Sequence, residues 1–186
     1  MIGYAFCGSF CTLSHSLAAL RQLCADGYDV LPIMSEKTYE TDTRFWRAED
    51  FRNAVKELCK RDIVHTIVDA EPLGPQIVLD ALVLAPCTGN TLAKIAQGIT
   101  DSSVTMAAKA HLRADRTTLI ALASNDAMSA NLSNIAELLL RKNVYFVPMR
   151  QDDPEKKPHS LVADFTQLPE CLKLACDNHQ RCPLFL

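Results

Sequence analysis

The chain has 186 residues, 48% hydrophobic and 22% charged, with a formal net charge of −3 at pH 7. That length suits one domain with a full core. The charge balance lacks the basic surplus and aromatic–basic interleaving of a nucleic-acid-binding surface. No apolar run approaches the ~20 residues that a membrane-spanning helix needs. MIGYAFCGSF lacks the basic leader of a signal peptide and reads as a first strand, so a cytoplasmic protein is expected.

In chain order, Ile2–Cys7 reads as a strand broken by Gly8-Ser9. A helix follows, with Thr12 as its cap, Leu13, Leu17, Leu20 and Cys24 on one face, and Gly27 as its stop. Val30–Met34 is a second strand ending at Ser35, and Thr38–Arg44 a polar loop. The next helix runs from about Ala48 to Lys60 with Phe51, Val55 and Leu58 on its apolar face. Ile63–Val68 reads as a third strand, leading into EPLGP (71–75), where two prolines and a glycine forbid regular structure. Ala81–Ala85 is an apolar run suited to a strand buried on both faces, and Pro86, with no N–H for the ladder, is expected to end it.

Beyond that strand, Leu92, Ile95, Ala96 and Ile99 mark a helix with Gly98 near its end. Ser103–Arg113 is helical, finishing on Lys109, His111 and Arg113 as a helix carboxyl end prefers. Thr117–Leu122 is a strand, its exit loop is 123–126, and the following helix shows Leu132, Ile135, Ala136 and Leu139 on one face. Val144–Val147 is the last expected strand, stopped by Pro148, and Gln151–Pro158 is a polar loop. A final helix starts near Pro169 and buries Leu168, Leu172 and Cys176. The alternation of strands and helices, with no linker or repeat, predicts one α/β domain over 1–186: an open parallel sheet with helices on both faces.

Eight cysteines raise the question of zinc or disulfides, but none forms a C-x-x-C pair and their spacing matches no structural zinc site. Most are expected to be small buried apolar residues, with Cys11 and Cys87 set apart by their place in ligand loops. The five histidines also lack ligand spacing; His15 is the one nearest a predicted loop and reads as a surface or packing residue. No metal site is expected.

Three loops leave strand ends with ligand-binding chemistry: Gly8-Ser9 through Thr12, Thr88-Gly89-Asn90-Thr91, and Ser124-Asn125, with Ser35 as a fourth contributor. Small residues, hydroxyls and free N–H groups at helix starts suit a phosphate. Each Ser, Thr or Asn taken alone is more often a helix cap. Three such loops on one sheet edge favour a ligand. No three of the six glycines make G-x-G-x-x-G, and there is no Walker lysine, so hydride chemistry would need a flavin or an acceptor on another chain. Glu71 stands out among carboxylates because EPLGP is rigid and precedes the central strand, while Lys109, Lys156 and Lys157 could meet a dicarboxylate.

Pro86-Cys87-Thr88-Gly89-Asn90-Thr91 resembles the PASANT motif of the homo-oligomeric flavin-containing cysteine decarboxylases, and 123–128 their PAMNxxM motif. More of the chain is similar to the family of dipicolinate synthase B subunits. The segments are GSFCT (8–12), AEPLGP (70–75), TGN (88–90), TDSSVTMAAKAHLR (100–113), SNDA (124–127), NVYFVP (143–148) and QDDPEKKPHSLVA (151–163), in the same order. The resemblance implies a three-layer flavodoxin-like, Rossmann-like fold with the first strand central, beside the one entering PCTGNT. It implies a homo-oligomer in the mother cell of a spore former, partnered by the dipicolinate synthase A subunit, which binds NAD(P). Together they would oxidise a dihydrodipicolinate-type dicarboxylate of the lysine pathway to dipicolinate.

Carried over by motif, an FMN site, kept or since lost, would use Gly8, Ser9, Thr12 and Ser35 at the phosphate. Thr88, Gly89, Asn90 and Thr91 would line the flavin or substrate side, with Ser124 and Asn125 opposite. Glu71, Asn90 and Asn125 are the candidate catalytic residues, Glu71 as proton acceptor and the two amides as orienting groups. The decarboxylases of the wider family carry a catalytic histidine upstream of PASANT; EPLGP here has none. Two alternatives stand beside this oxidoreductase role: a non-catalytic flavodoxin-like scaffold, and an independent FMN-dependent decarboxylase.

Overall fold

Continuous apolar runs form the centre of the sheet. In the computed structural model, which describes Met1–Leu186, every residue of β1 (Ile2–Phe6), β2 (Val30–Met34) and β3 (Ala81–Cys87) is buried. With β4 (Thr117–Ser124) and β5 (Val144–Phe146) they pair in parallel in the order β2-β1-β3-β4-β5. Strands buried on both faces need no polar alternation, and successive residues simply serve opposite sides. Ala81, Val83 and Ala85 join the apolar cluster on one face, and Leu82, Leu84 and Cys87 the cluster on the other.

The helices follow that division. α1 (Leu13–Ala25), α3 (Ala48–Cys59) and α8 (Leu168–Cys176) cover one face; α4 (Ile67–Ala70), α5 (Gly89–Ala96), α6 (Ser103–Leu112) and α7 (Leu132–Leu139) cover the other. The expected three-layer α/β fold is therefore present, and β1 lies beside β3 as expected, but β1 is second from the sheet edge, and the middle strand is β3. No helix is long and apolar enough to cross a membrane.

Several local expectations are corrected. Ile63–Val68 is not a strand: only Val64 pairs with Ile33, in an isolated bridge. The Thr66 hydroxyl then accepts from Asp69 N and starts α4, because an N-cap bond competes with extension. The polar stretch after β2 likewise begins as a short helix, α2 (Glu36–Glu40), capped by Ser35. Pro86 does not end β3. Its carbonyl still accepts from Cys7 N (3.1 Å), and the register against β4 shifts between Leu84 and Cys87. In α7 the buried face is Ile135 and Leu138, with Leu132 half exposed, and Cys176 on α8 is exposed.

The chief addition is a hairpin. After β5, β6 (Met149–Arg150) and β7 (Leu161–Ala163) pair antiparallel, and β7 joins β4 through Ala123 and Ser124. β5 occupies the lower part of the same strand, at Thr118–Ile120. The hairpin thus extends the sheet beyond β5 at the carboxyl end of β4.

α1 is tied to the sheet by a buried polar link. Ser16 Oγ donates to Ala85 O (2.6 Å), and Tyr4 Oη donates to Ser16 O (2.9 Å). Ser16→Ala would remove the buried bond to the Ala85 carbonyl, and about 0.5–1.5 kcal/mol of stability should be lost. The midpoint of urea unfolding, at unchanged slope, measures it.

Candidate active site

The order of the parallel strands reverses between β1 and β3, and open α/β sheets bind ligands in the crevice above such a point. Here the exit loops of β1, β3 and β4 line one cleft of about 950 Å³. That is the upper end of the ~300–1,000 Å³ of small-molecule sites. The hairpin forms one wall, and Arg44 and Phe45, from the segment between α2 and α3, reach its rim.

The β1 loop is a donor site. Ser9 N donates to Cys7 O (2.8 Å), Thr12 N to Ser9 O (3.1 Å), and Thr12 Oγ1 to Ser9 O (2.9 Å) and Ser9 Oγ (3.0 Å). The N–H groups of Gly8, Phe10 and Cys11 have no acceptor within the chain. They precede the 13-residue α1, whose dipole favours an anion there.

The β3 loop starts α5. Thr88 Oγ1 accepts from Thr91 N (3.2 Å) and donates to Thr91 Oγ1 (3.1 Å). Gly89 is required by its neighbours: an added Cβ would lie 2.5 Å from Ser124 Oγ and Asn131 Nδ2, and 2.8 Å from Asp126 Oδ1. In the β4 loop, the Ser124 hydroxyl donates to Asp126 Oδ1, and the exposed Asn125 and Asp126 face the cleft. Beneath the loops Cys7 and Cys87 are buried neighbours, and Cys7 together with burial pushes the Cys87 thiol well up. A protonated, covered thiol is packing, not a nucleophile.

The structure brings together Gly8, Ser9, Thr12, Thr88, Gly89, Ser124 and Asn125. Ser35, Asn90, Thr91 and Glu71 do not line the cleft. Ser35 caps α2 through Thr38 N (3.3 Å), and Thr91 is buried against Thr88. Asn90 is exposed on the first turn of α5. Glu71 borders a separate hollow with Lys109 and Arg113. α6 starts where Ser103 Oγ donates to Met34 O, at the carboxyl end of β2, and ends where His111 Nε2 bonds Thr117 O, at the start of β4. Its last turn, and Glu71 beside it, therefore lie toward the opposite end of the sheet. Glu71 does not fit as proton acceptor for this cleft.

Lys157 does line the cleft, as a carboxylate-binding residue should, whereas Lys109 does not and His15 is exposed at its edge. Sequence reasoning missed Arg44, Phe45, Arg150 and Asp164, which no motif marks, and gave no role to Asp126 and Asp152, which lie in the SNDA and QDDPEKKPHSLVA segments. Two of the cations are paired: Arg150 with Asp164 and Lys157 with Asp152, each at 2.7 Å. No group of three or more His, Cys, Asp or Glu side chains is placed to share a metal ion.

The Flavoprotein family model matches residues 2–177. The chain belongs to the Flavoprotein family. Within the Flavoprotein family it is similar to the dipicolinate synthase B subunit of Bacillus subtilis (strain 168), with 37% identity over 185 residues, 100% of this chain and 92% of that protein. It is likewise similar to the crystal structure of the dipicolinate synthase B subunit from Bacillus halodurans C, with a TM-score of 0.91 and 38% identity over 100% of this chain and 95% of that one. The FMN-dependent cysteine decarboxylase SpaF shares the fold at a TM-score of 0.69 and 21% identity, over 94% and 95% of the two chains. The likeness carried by the ordered motifs thus extends over the whole Flavoprotein-family domain.

Two outcomes are expected of this Flavoprotein-family site. Gly89→Ala should cost about 1–3 kcal/mol, the usual penalty of overpacking, and displace the β4 loop; thermal unfolding and amide shifts of 124–126 would show both. The bonds from Lys157 and then Ser160 hold the Asp152 carboxyl below its ordinary value. A depressed folded pKa adds stability that is present above the unfolded value and lost as pH falls through the folded one. Amides of the 151–160 tip should therefore keep full protection at neutral pH and lose it below about pH 4, as measured by hydrogen exchange corrected for intrinsic rate.

Proposed function

We propose that the chain is a B-type subunit of dipicolinate synthase. With a nicotinamide-binding A-type partner it oxidises a dihydrodipicolinate-type intermediate to dipicolinate (pyridine-2,6-dicarboxylate), in the mother-cell cytoplasm of a spore former. The observation that carries this reading is the likeness, end to end, to two proteins of that name. A cleft at the switch point, walled by charged groups able to meet a dicarboxylate, supports it. The nicotinamide is given to the partner because this chain has no dinucleotide fingerprint.

The donor set also fits FMN. The unpaired N–H groups of Gly8, Phe10 and Cys11, beside the Ser9 and Thr12 hydroxyls, suit its phosphate. Thr88, Ser124 and Asn125 supply polar groups for ring heteroatoms. When bound, FMN would supply a two-electron acceptor for hydride.

The chain's own residues have simpler work. Aromatising a dihydropyridine removes a hydride and a proton, so the site must orient the ring and take the proton. Asn125 is placed to orient by its amide. Asp126 replaces Glu71 as proton acceptor, because Oδ1 already accepts from Ser124 and Oδ2 has no partner within the chain. Phe10, Val162 and Phe165 give the cleft apolar surface that limits water.

A non-catalytic scaffold is the second reading, favoured by the use of the Ser35 and Thr88 hydroxyls as helix caps. Two measurements separate them. After incubation with FMN and gel filtration, the catalytic reading expects retained flavin absorbance. In the assembled A–B complex, Asp126→Asn should slow turnover by about 10²-fold or more, while Glu71→Gln and Asn90→Ala stay near the wild-type rate. Wild-type turnover by both Asp126→Asn and Asn125→Ala, together with dipicolinate formation by the A-type partner on its own, would establish the scaffold instead.

A further inference from the structure

Of the three permanently charged cations that line the cleft, two are neutralised in place: Arg150 by Asp164 and Lys157 by Asp152. Arg44 is different. It makes no ion pair and no side-chain hydrogen bond, and its guanidinium lies over the Phe45 ring at 4.8 Å from the centroid. Phe45 is itself 45% exposed at the rim.

This exposed pair is not on a loose loop. Thr43 N donates to Trp46 O (2.9 Å), and Thr43 Oγ1 accepts from Phe45 N and Trp46 N, both at 3.2 Å. Trp46 Nε1 donates to Ser14 Oγ on α1 (3.0 Å), and its ring meets Phe51 of α3 edge-on at 5.4 Å. Asp42 Oδ1 accepts from Ala48 N (2.8 Å) and closes the turn onto the start of α3. Trp46 is thus the inward anchor of a fixed turn that holds Arg44 and Phe45 outward. A cation with its whole N–H fork free, beside an aromatic face, suits a flat anionic ring better than either residue alone. That turn fixes the backbone beneath the pair, so binding need order only the two side chains.

We infer that Arg44 and Phe45 form the substrate-selecting lip of the cleft, Arg44 taking one carboxylate of a flat pyridine-type dicarboxylate and Phe45 lying against its ring. The inference rests on the dipicolinate synthase reading for the class of substrate. The other anion that Arg44 could meet is the phosphate of FMN. That phosphate already has the unpaired N–H groups of Gly8, Phe10 and Cys11 at the start of α1, so Arg44 is assigned to the substrate.

The test titrates dipicolinate, and picolinate with its single carboxylate, into the FMN-supplemented full chain by calorimetry. The wild-type chain should bind dipicolinate more tightly than picolinate. Arg44→Gln should weaken dipicolinate about 10- to 100-fold, the loss of a charge-assisted bidentate contact, and erase that preference. Arg44→Lys should restore only part, because an ammonium cannot make the planar fork. Retention of FMN should not change, and in the A–B complex Arg44→Gln should raise KM with little effect on kcat.

Unchanged dipicolinate affinity in Arg44→Gln overturns the inference. So does loss of FMN with the dicarboxylate preference intact, which would assign Arg44 to the phosphate. In both cases dipicolinate formation by the wild-type A–B complex would leave the functional reading standing. Absence of both dipicolinate binding and dipicolinate formation by the wild-type proteins would remove the reading and the inference together.

Discussion

The approach of Gly89 to Ser124 sets the shape of everything above the sheet. With no Cβ, Gly89 lets the start of α5 lie against the β4 exit loop, within reach of Ser124, Asp126 and Asn131. Ser124 is also the last residue of β4, the partner of Leu161 in β7, and the donor to Asp126. One small contact therefore fixes two ligand loops and the hairpin relative to each other. Loosening it would move the floor and one wall of the cleft at once, which is why a methyl group there has more consequence than its volume.

The cleft is built from parts of unequal rigidity. Its floor consists of loops anchored directly to buried strands, with Cys7 and Cys87 packed beneath. The hairpin tip is held mainly by Asp152, through Lys157 and Ser160, and by Gln151 Nε2 to Pro158 O (2.9 Å). Ion pairs of this exposure contribute little to stability. They do neutralise two of the cleft's cations, leaving Arg44 as the one with an open fork. A dicarboxylate would thus meet an arranged charge distribution, not a generally basic surface.

Much of the fold was legible in the residues. Apolar runs at 2–6, 30–34 and 81–85 read as strands and are strands buried throughout, and the helices between them made the sheet parallel. Errors came where pairing is short or local bonding competes. Val64 has one bridge and then a threonine cap, and β6 and β7 are too brief for a period-2 pattern to register. The β1 loop, Thr88, Gly89, Ser124 and Asn125 were readable as lining one cleft because they lie at or just beyond strand ends. Glu71 was misplaced because its rigid loop precedes β3 by enough chain to lie at the other end of the sheet.

The sequence by itself determined the layers, the parallel sheet and the edge at which the polar strand-exit loops gather. Those follow from hydrophobic periodicity and from polar residues at strand exits, which are local properties. Only the tertiary structure decided which charges face the cleft. Arg44 arrives there through a turn pinned to α1 and α3, and Arg150 and Lys157 through a hairpin added to β4. Asp126 becomes the cleft's candidate base because Ser124 occupies one of its oxygens. Such placements depend on contacts between segments distant in the chain, and no spacing within one segment encodes them.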